Sequence, residues 1–340
     1  MDVVSDAIAA VRMGQAASDR VRVSGSWCAR LAPYDGAGFH VVLEGGCWLL
    51  PEGGPPVSLG VGDAVLLPHG TGHVIADSPA DAATVARAMP FERWTGGTPG
   101  PSRLSRSVPG GVELLCGKYR LDHSRVHPLL AELPTVVHLP NRVGDHPELR
   151  AAIGLLGGEL TAGRPGAGIA VPSLVDLLLV YMVRAWVDRG DGGAWPSALG
   201  DPVTAAALRA LHADPAAAWT NERLATEAGV SRPTLARRFT SLVGRPPMAY
   251  LTWWRLTLAA AALRDTGDSL AAIARRVGYG TPYALSHAFS REFGTTPGRY
   301  RARAVDGGEG AGGGEGAGDA GAGGGAEGGA DPVRGTGVVR

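Results

Sequence analysis

The sequence predicts an α+β multidomain protein, with an N-terminal β-barrel, a helical region in the middle and an all-α C-terminal domain. Three observations support this fold class. Short apolar runs broken by glycine and proline fill residues 21–120, apolar residues at three- and four-residue spacing begin near residue 147, and a helix–glycine–helix pattern occurs twice after residue 200. A chain of 340 residues is long enough for two domains with separate cores.

The first predicted domain is a barrel of residues 21–140, preceded by an N-terminal arm of residues 1–20. Runs such as "FHVVLEGGCWLL" and "GDAVLLPHGTGHVI" are short and apolar, and turn-forming residues separate them, as in antiparallel barrels and sandwiches. Cys28, Cys47 and Cys116 are widely spaced and form no CxxC pair. We therefore expect buried apolar thiols here rather than zinc or redox chemistry.

A helical region of residues 141–199 follows, with helices predicted over residues 147–162 and 172–189. Pro172 and Ser173 fit the first turn of the second helix, where proline is tolerated. The apolar face of this helix is broad and must be covered. It packs either on its own barrel or on the same helix of a second chain, and the second alternative predicts a homodimer.

Charge is divided unevenly along the chain, although the total is zero, with 32 basic and 32 acidic residues. Residues 200–303 carry 14 basic and 7 acidic residues, a net charge of +7, whereas residues 1–199 carry −3 and residues 304–340 carry −4. A local positive field is typical of domains that bind a polyanion. The glycine-rich acidic tail of residues 304–340 has almost no apolar side chains to bury, so we expect it to be disordered.

The basic segment contains one structural pattern twice. In "WTNERLATEAGVSRPTLARRFTSLVG", Thr220 and Ser231 are predicted N-caps of two short helices that a turn near Gly229 separates. In "SLAAIARRVGYGTPYALSHAFSREFG", Ser269 and Thr281 take the same roles. Each second helix has a buried apolar pair and a polar outer face, which is the helix-turn-helix design that places the second helix in the major groove of DNA.

The outer faces of the two second helices, residues 231–243 and 281–293, are the predicted DNA-binding surfaces. In the first helix the contacting residues are Arg232, Pro233, Thr234, Ala236, Arg237 and Arg238, and in the second they are Pro282, Tyr283, Ser286, His287 and Ser290. We expect Arg237 to dominate base reading, because arginine can bond bidentately to guanine. A phosphate contact or a solvated charge is the alternative for this arginine.

Residues 200–303 resemble the DNA-binding domain of AraC/XylS-type transcription regulators. The stretches "LATEAGVSRPTLARRF" and "AAIARRVGYGTPYALSHAFSREFGTTPGRYR" carry the resemblance, and the second includes Gly278, Phe289 and Pro297 of the family signature. The resemblance implies that both recognition helices enter successive major-groove segments on one face of the duplex. His287 stands where the family often has arginine, so we expect weaker contacts from the second helix.

The stretches "GAGFHVVLEGGCWLL" and "GDAVLLPHGTGHVI" resemble the two motifs of the cupin barrel. Cupin enzymes hold a divalent metal with histidines and a glutamate from these motifs, a ligand set that suits iron, manganese, nickel or zinc. His40 and His73 match two of those positions, but Val42 replaces a histidine and Glu44 comes too early. We therefore expect no bound metal and no other cofactor.

An effector pocket is predicted in the barrel interior, and it consists of Trp27, His40, Trp48 and His73. Packing within the barrel is the alternative role of the two histidines. Cys116, His123 and His127 are a further cluster of zinc-ligand types. No fourth ligand is evident there, so a strand that ends in a polar turn is the preferred interpretation.

Together these features predict a cytoplasmic transcription regulator rather than an enzyme. Its expected partners are double-stranded promoter DNA, RNA polymerase, an unidentified small-molecule effector and a second copy of the chain. We expect no membrane partner, because no run approaches the roughly 18 to 20 uncharged apolar residues of a membrane helix, and the start of the chain does not resemble a secretory signal. A cupin metalloenzyme fused to a DNA-binding domain and a barrel that serves only dimerisation are the alternatives.

Overall fold

The computed structural model describes residues 2–79, 81–94, 111–121, 127–162, 164–190 and 193–309. Within these ranges the strands are Arg12–Val23 (β1), Cys28–Leu31 (β2), Ala37–Glu44 (β3), Cys47–Pro51 (β4), Val57–Leu59 (β5), Ala64–Leu67 (β6), His73–Ala76 (β7), Met89–Pro90 (β8), Val112–Leu121 (β9) and Val137–Leu139 (β10). The helices are Val3–Val11 (α1), Ala82–Ala86 (α2), Phe91–Trp94 (α3), Pro128–Ala131 (α4), Pro147–Ala162 (α5), Ala167–Arg189 (α6), Ala194–Gly200 (α7), Pro202–Ala213 (α8), Asn221–Glu227 (α9), Arg232–Val243 (α10), Pro247–Asp265 (α11), Leu270–Arg276 (α12), Pro282–Phe293 (α13) and Pro297–Glu309 (α14).

The strands form two five-stranded sheets that pack on each other, which confirms the predicted cupin-like N-terminal domain. Sheet A has the strand order β1-β9-β3-β6-β10, and sheet B has the order β5-β4-β7-β2-β8. Neighbouring strands are antiparallel, except for the parallel pair of β2 and β8. Most of these pairs join segments that are distant in sequence, so loop connections rather than tight hairpins dominate the domain.

Sheet A separates two hydrophobic cores. Because side chains alternate along a strand, Phe39 and Val41 of β3 point to one face of the sheet, and His40 and Val42 point to the other. The inner face packs on sheet B, and Val42 belongs to that core together with Leu49 of β4. The outer face, with Phe39 and Val41, belongs to a larger core that also includes side chains of α1, α4, α5 and α6.

Polar contacts attach the helical layer to sheet A. The Tyr119 hydroxyl of β9 donates a 2.6 Å hydrogen bond to the Val175 carbonyl of α6. Arg20 of β1 donates to the Glu113 carboxylate of β9 at 2.6 Å and to the Gly157 carbonyl of α5 at 2.9 Å. These bonds fix α5 and α6 relative to the strands that they cover.

The C-terminal domain contains the predicted helix pair twice, and α11 joins the two copies. The first copy is α9 with α10, and the second is α12 with α13. Leu235 and Phe239 of the first copy belong to the same continuous core as the outer face of sheet A. Leu285 and Phe289 of the second copy belong to a core of their own. The first copy is therefore packed together with the N-terminal domain.

Residues 2–20 do not form a separate arm, which corrects the predicted boundary of the barrel. Asp2 caps α1, accepting the Ser5 N–H at 3.0 Å, and buried side chains of α1 pack in the larger core. The next residues belong to β1, which pairs with β9 along most of its length. The barrel sheet therefore begins at Arg12.

The second long helix starts five residues before the predicted residue 172. Gly166, with φ of 91°, precedes the first turn, and Pro172 lies inside α6 rather than at its start. Ser173 donates a 2.8 Å bond from its hydroxyl to the Ile169 carbonyl, one turn back. Helical packing on the sheet thus overrides the local tendency of proline to begin a helix.

Among the described residues, α6 is long and apolar enough to cross a membrane by length and composition alone. The sequence expectation concerned uncharged runs, and α6 contains none of 18 to 20 residues, because Asp176, Arg184, Asp188 and Arg189 interrupt it. Val175, Leu178 and Met182 of α6 are buried in the larger core. The helix is therefore part of the folded N-terminal domain.

The first residues of the predicted disordered tail are helical. Residues 304–309, which were assigned to the tail, continue α14. Residues 310–340 lie outside the described residues.

Candidate DNA interface, barrel cluster and domain junction

The first recognition helix, α10, presents the polar face that the sequence predicts. Ser231 caps it by accepting the Thr234 N–H at 3.4 Å, and Pro233 lies in its first turn. Leu235 and Phe239 are buried and anchor the helix to the core. The exposed predicted contacts are Arg232, Pro233, Ala236, Arg237 and Arg238, and Thr234 is partly buried.

The second recognition helix, α13, has the same construction but fewer charges. Thr281 caps it by accepting the Ala284 N–H at 3.1 Å. Leu285 and Phe289 are fully buried. The exposed predicted contacts are Pro282, Tyr283 and His287, whereas Ser286 and Ser290 are partly buried. This face can offer aromatic and hydrogen-bonding contacts, but little positive charge.

The three arginines of α10 differ in their surroundings. Arg232 pairs with Glu222 of α9 at 2.7 Å, and Arg238 pairs with Asp201, the N-cap of α8, at 3.1 Å. Within the described chain, Arg237 has no ion-pair partner. Arg237 is therefore the arginine of this face whose guanidinium is free to meet a base.

The turn of the second copy is fixed by a close backbone approach. Gly278 has φ of 85°, and a Cβ at this position would lie 2.7 Å from the Ala216 Cα. Arg255 of α11 donates to the Pro215 carbonyl at 2.6 Å and to the Ala217 carbonyl at 2.9 Å, and so holds the same segment. Gly229, in the equivalent turn of the first copy, has φ of 67° but nothing within 4 Å of a Cβ.

His40, His73 and Cys116 form a hydrogen-bonded chain inside the barrel, which we call the barrel triad. His40 and Cys116 are cross-strand neighbours on β3 and β9, with Nδ1 and Sγ 3.0 Å apart. His40 Nε2 lies 2.8 Å from His73 Nε2 of sheet B, and His73 Nδ1 lies 3.1 Å from the Thr71 carbonyl. His73 Nδ1 therefore donates to that carbonyl, His40 donates to His73, and the Cys116 thiol donates to His40.

Burial keeps the barrel triad uncharged. It lowers the pKa of His40 well below the usual 6.5, with neighbouring His73 adding to the effect. Burial also lowers the pKa of His73, although the hydrogen bond to the Thr71 carbonyl acts to raise it. It raises the pKa of the Cys116 thiol well above 9.0. A thiol held protonated in this way is a weak nucleophile.

The residues of the barrel triad do not fit a metal ion. The facing His40 and His73 nitrogens are used in a bond between the rings, so they cannot both direct lone pairs at one ion. In the part of the chain that the structure describes, no three His, Cys, Asp or Glu side chains converge as ligands. The alternative zinc cluster is not assembled either, because Cys116 lies inside the barrel and His127 at the domain junction, while His123 lies outside the described residues.

Three of the four predicted pocket residues share the barrel interior. Trp27 is buried in the inner core, and the His40 and His73 rings contact each other edge to face, with centroids 5.0 Å apart. Trp48 alternates with Cys47 and Leu49, which point into that core, so its side chain lies on the other face of sheet B.

A second buried network lies between the N-terminal domain and the DNA-binding domain, and we call Asp6, His127, His212 and Tyr250 the junction network. The Leu129 N–H donates to His127 Nδ1 at 3.1 Å, so His127 Nε2 carries the proton and donates to the Tyr250 hydroxyl at 3.0 Å. Tyr250 donates to His212 Nε2 at 2.7 Å, and His212 Nδ1 donates to the Asp6 carboxylate at 3.0 Å. Every polar group in the chain of bonds is satisfied.

Aromatic rings enclose the junction network. His127 packs edge to face on Trp195 and Trp253, with centroid distances of 4.9 and 5.4 Å, and His212 stacks on Trp254 at 4.4 Å. Burial, with His212 adding to the effect, lowers the pKa of His127 well below 6.5. Sequence reasoning missed this network because its bonds join residues up to 206 positions apart, and no local pattern marks them.

Two family models match the chain. A cupin model matches residues 2–188, and a helix-turn-helix domain model matches residues 224–303. The first covers the two sheets and α6, and the second begins in α9 and covers both recognition helices.

Two similar regulators span most of the chain. A putative AraC-like transcription regulator from Streptomyces lividans is 34% identical over 305 residues, which are 88% of this chain and 98% of that protein. The HTH-type transcriptional regulator AlkR from Acinetobacter baylyi is 28% identical over 308 residues, 89% of this chain and 100% of that protein. Among solved structures, the DNA-binding domain of AdpA in complex with a target DNA is 35% identical, covers 30% of this chain and 92% of that chain, and has a TM-score of 0.29.

Proposed function

The chain belongs to the AraC family of DNA-binding transcription regulators, with a cupin-type N-terminal domain, and from that premise we propose that α10 and α13 bind two successive major-groove segments of promoter DNA. The observation that carries the proposal is the pair of equivalent helices, each capped at its start, anchored by two buried apolar residues and polar on its outer face. Because its relatives are regulators, the chain is a regulator rather than an enzyme.

In this proposal the two helices contribute unequally to DNA binding. Arg237 of α10 is exposed and without an ion-pair partner in the described chain, so it reads guanine, whereas Arg232 and Arg238 meet phosphates after leaving Glu222 and Asp201. The outer face of α13 offers His287 and Tyr283, which contribute hydrogen bonds and apolar contacts.

A small-molecule effector bound by the N-terminal domain controls DNA binding in this proposal. A ligand that enters the barrel near Trp27 must separate the contact between His40 and His73. Both histidines face the inside of the barrel, while Phe39 and Val41, beside His40, face the core that continues into the first helix-turn-helix. A shift of β3 would therefore move α10 through the shared core more directly than α13. It would change the orientation in which α10 meets DNA.

We further propose that the exposed apolar face of α6 forms a homodimer. Ile169 is 80% exposed and Leu177 38%, and Leu155 of neighbouring α5 is 61% exposed. Leu177→Glu should convert a dimer to a monomer in analytical ultracentrifugation. Val143→Glu is the matched control, because Val143 is fully exposed on a connecting segment; a dimer that survives Leu177→Glu contradicts this interface.

We also propose a cytoplasmic location and RNA polymerase as a partner, because a transcription regulator acts where promoters are transcribed. Mapping of binding sites across the genome tests the function as a whole. The proposal expects enriched sites with a shared motif of two segments about 10 base pairs apart, and loss of those sites with Arg237→Ala. Binding without any shared motif would contradict it.

A further inference from the structure

A cavity of about 800 Å³ opens next to the C-terminal end of α6. Its walls come from the segment after α4, from the connection between β10 and α5, and from the C-terminal end of α6. It lies outside the barrel interior and away from the recognition helices. Cavities of this size hold small molecules.

The floor of the cavity is apolar. Trp186 of α6 is 5% exposed and Val137 of β10 is 2% exposed, and both line it together with Pro134 and Val136. An indole at the base of a cavity offers a large surface for an apolar or aromatic group. The ligand class that fits this floor therefore has an apolar body.

Charged groups of both signs surround the floor. Arg142 and Arg189 contribute guanidinium groups, whereas Asp145 and Asp188 contribute carboxylates. Within the described chain, no ion pair engages the side chains of Arg142, Asp145 or Asp188. The carboxylates would repel a purely anionic ligand, and the arginines would repel a purely cationic one. The mixture therefore favours a ligand that carries both charges.

Glu132 connects the cavity to the DNA-binding domain. Its carboxylate lines the cavity and accepts the N–H of Trp195, in the first turn of α7, at 3.0 and 3.3 Å. It lies so close to Gly193 that a Cβ there would be 2.0 Å from Glu132 Oε1. α7 packs in turn on α10, and the Trp195 ring contacts His127 of the junction network.

We propose that this cavity binds a zwitterionic small molecule of dipeptide size, with its carboxylate at Arg142 and Arg189 and its ammonium group at Asp188 and Glu132. The ammonium group competes with the Trp195 N–H for the Glu132 carboxylate, and loss of that bond releases the start of α7 and the position of α10 with it. The regulatory consequence rests on the proposed function, whereas the binding site stands independently of it.

Calorimetric titration of the full-length protein with the dipeptide Leu-Phe tests the site. The controls are N-acetyl-Leu-Phe, which lacks the ammonium group, and Leu-Phe amide, which lacks the carboxylate. The proposal expects Leu-Phe to bind, and removal of either charge to weaken binding by about tenfold or more. Equal affinity for the three probes, or no binding at about 10 mM, overturns it.

Two variants locate the site on the protein. Arg142→Gln and Asp188→Asn change exposed side chains, and each should weaken Leu-Phe binding by about tenfold. Arg184→Gln is the matched control, because Arg184 is exposed on α6 about one turn before Asp188 and does not line the cavity. Unchanged affinity in both cavity variants would place the ligand elsewhere and overturn the proposal.

The same preparations separate this inference from the proposed function. Binding of the protein to a duplex obtained by in vitro selection is measured with and without Leu-Phe, and the proposal expects the dipeptide to change duplex affinity by at least about threefold. Duplex binding that is intact while no probe binds defeats the cavity inference alone. Absence of duplex binding defeats the proposed function, whatever the titrations give.

Discussion

Arg237 differs from its two arginine neighbours on α10 in having no ion-pair partner in the described chain, while Arg232 and Arg238 are paired with carboxylates. An exposed ion pair is worth little, so both neighbours can still turn to phosphates. A guanidinium that meets a guanine edge discriminates between base pairs, and one that meets a phosphate does not. We therefore propose that the sequence preference of α10 depends on Arg237.

Arg237→Ala should reduce affinity for the selected duplex by about 1–3 kcal/mol and relax the preference at one base pair. Arg232→Ala is the control, since removal of a phosphate-binding side chain weakens binding to all sequences alike. Fluorescence anisotropy on a set of single-base duplex variants measures both effects. An Arg237→Ala protein with the wild-type order of preferences would show that Arg237 does not read a base.

Gly278 and Gly229 occupy equivalent turns with different surroundings. Gly278→Ala should lower the free energy of unfolding by about 2–4 kcal/mol. The alanine would have to adopt a positive φ, and its Cβ would lie 2.7 Å from a backbone atom. Gly229→Ala should cost only about 1 kcal/mol, because its Cβ meets open space. Urea denaturation measures both, and equal losses would contradict the close approach at Ala216.

At the scale of single helices, local sequence predicts the DNA-binding elements well. Ser231 and Thr281 cap α10 and α13 as expected, and both helices end within a residue of the predicted positions, because capping and turn formation depend on neighbours in the chain. The start of α6 was misplaced at Pro172, since packing on the sheet decides it. The sequence also placed Trp48 on the wrong face of sheet B. The alternation of side chains shows which residues share a face, but not which face points into the barrel.

The junction network joins α1, α4, α8 and α11 through one hydroxyl. Tyr250→Phe removes the group that links His127 to His212, and leaves two buried ring nitrogens without a partner. We expect a loss of about 1–3 kcal/mol in the free energy of unfolding. Tyr283→Phe is the matched control, because Tyr283 is 80% exposed and should lose nothing measurable. Thermal or urea denaturation that does not distinguish the two variants would contradict the network.

Across the whole molecule, the two copies of the helix-turn-helix are unequally attached. The first shares the core of sheet A and α6, and the second has its own core around Leu285 and Phe289. The sequence predicts that the two copies differ in their DNA contacts, but not that they differ in attachment, because the long-range packing of α7 and α8 leaves no local pattern. The N-terminal domain therefore packs in one core with α10, while α13 is joined to it through α11.

Buried neutral histidines make the whole fold sensitive to acid. His40, His73 and His127 have pKa values below the 6.5 of the unfolded chain, so between these values the unfolded chain binds more protons. The contribution of these histidines to the free energy of unfolding is complete above pH 6.5. It falls as the pH drops below 6.5, by up to about 1.4 kcal/mol per pH unit for each histidine.

Denaturation at pH 7.5, 6.5 and 5.5 measures this loss. His127→Gln should reduce the dependence of stability on pH, because it removes one of the three buried histidines. A stability that is constant over this range would contradict the neutral state of the buried histidines.

The central claim is that α10 and α13 bind DNA together, and titration of a selected duplex over about 50 to 200 mM salt tests it most directly. The two proposed phosphate contacts of Arg232 and Arg238 predict a loss of affinity of at least about tenfold over that range. Arg237→Ala with His287→Ala should weaken binding by about a further hundredfold at fixed salt, because each helix then lacks one base-reading side chain. Affinity that is independent of salt, or equal in the double variant and the wild-type chain, would contradict the claim.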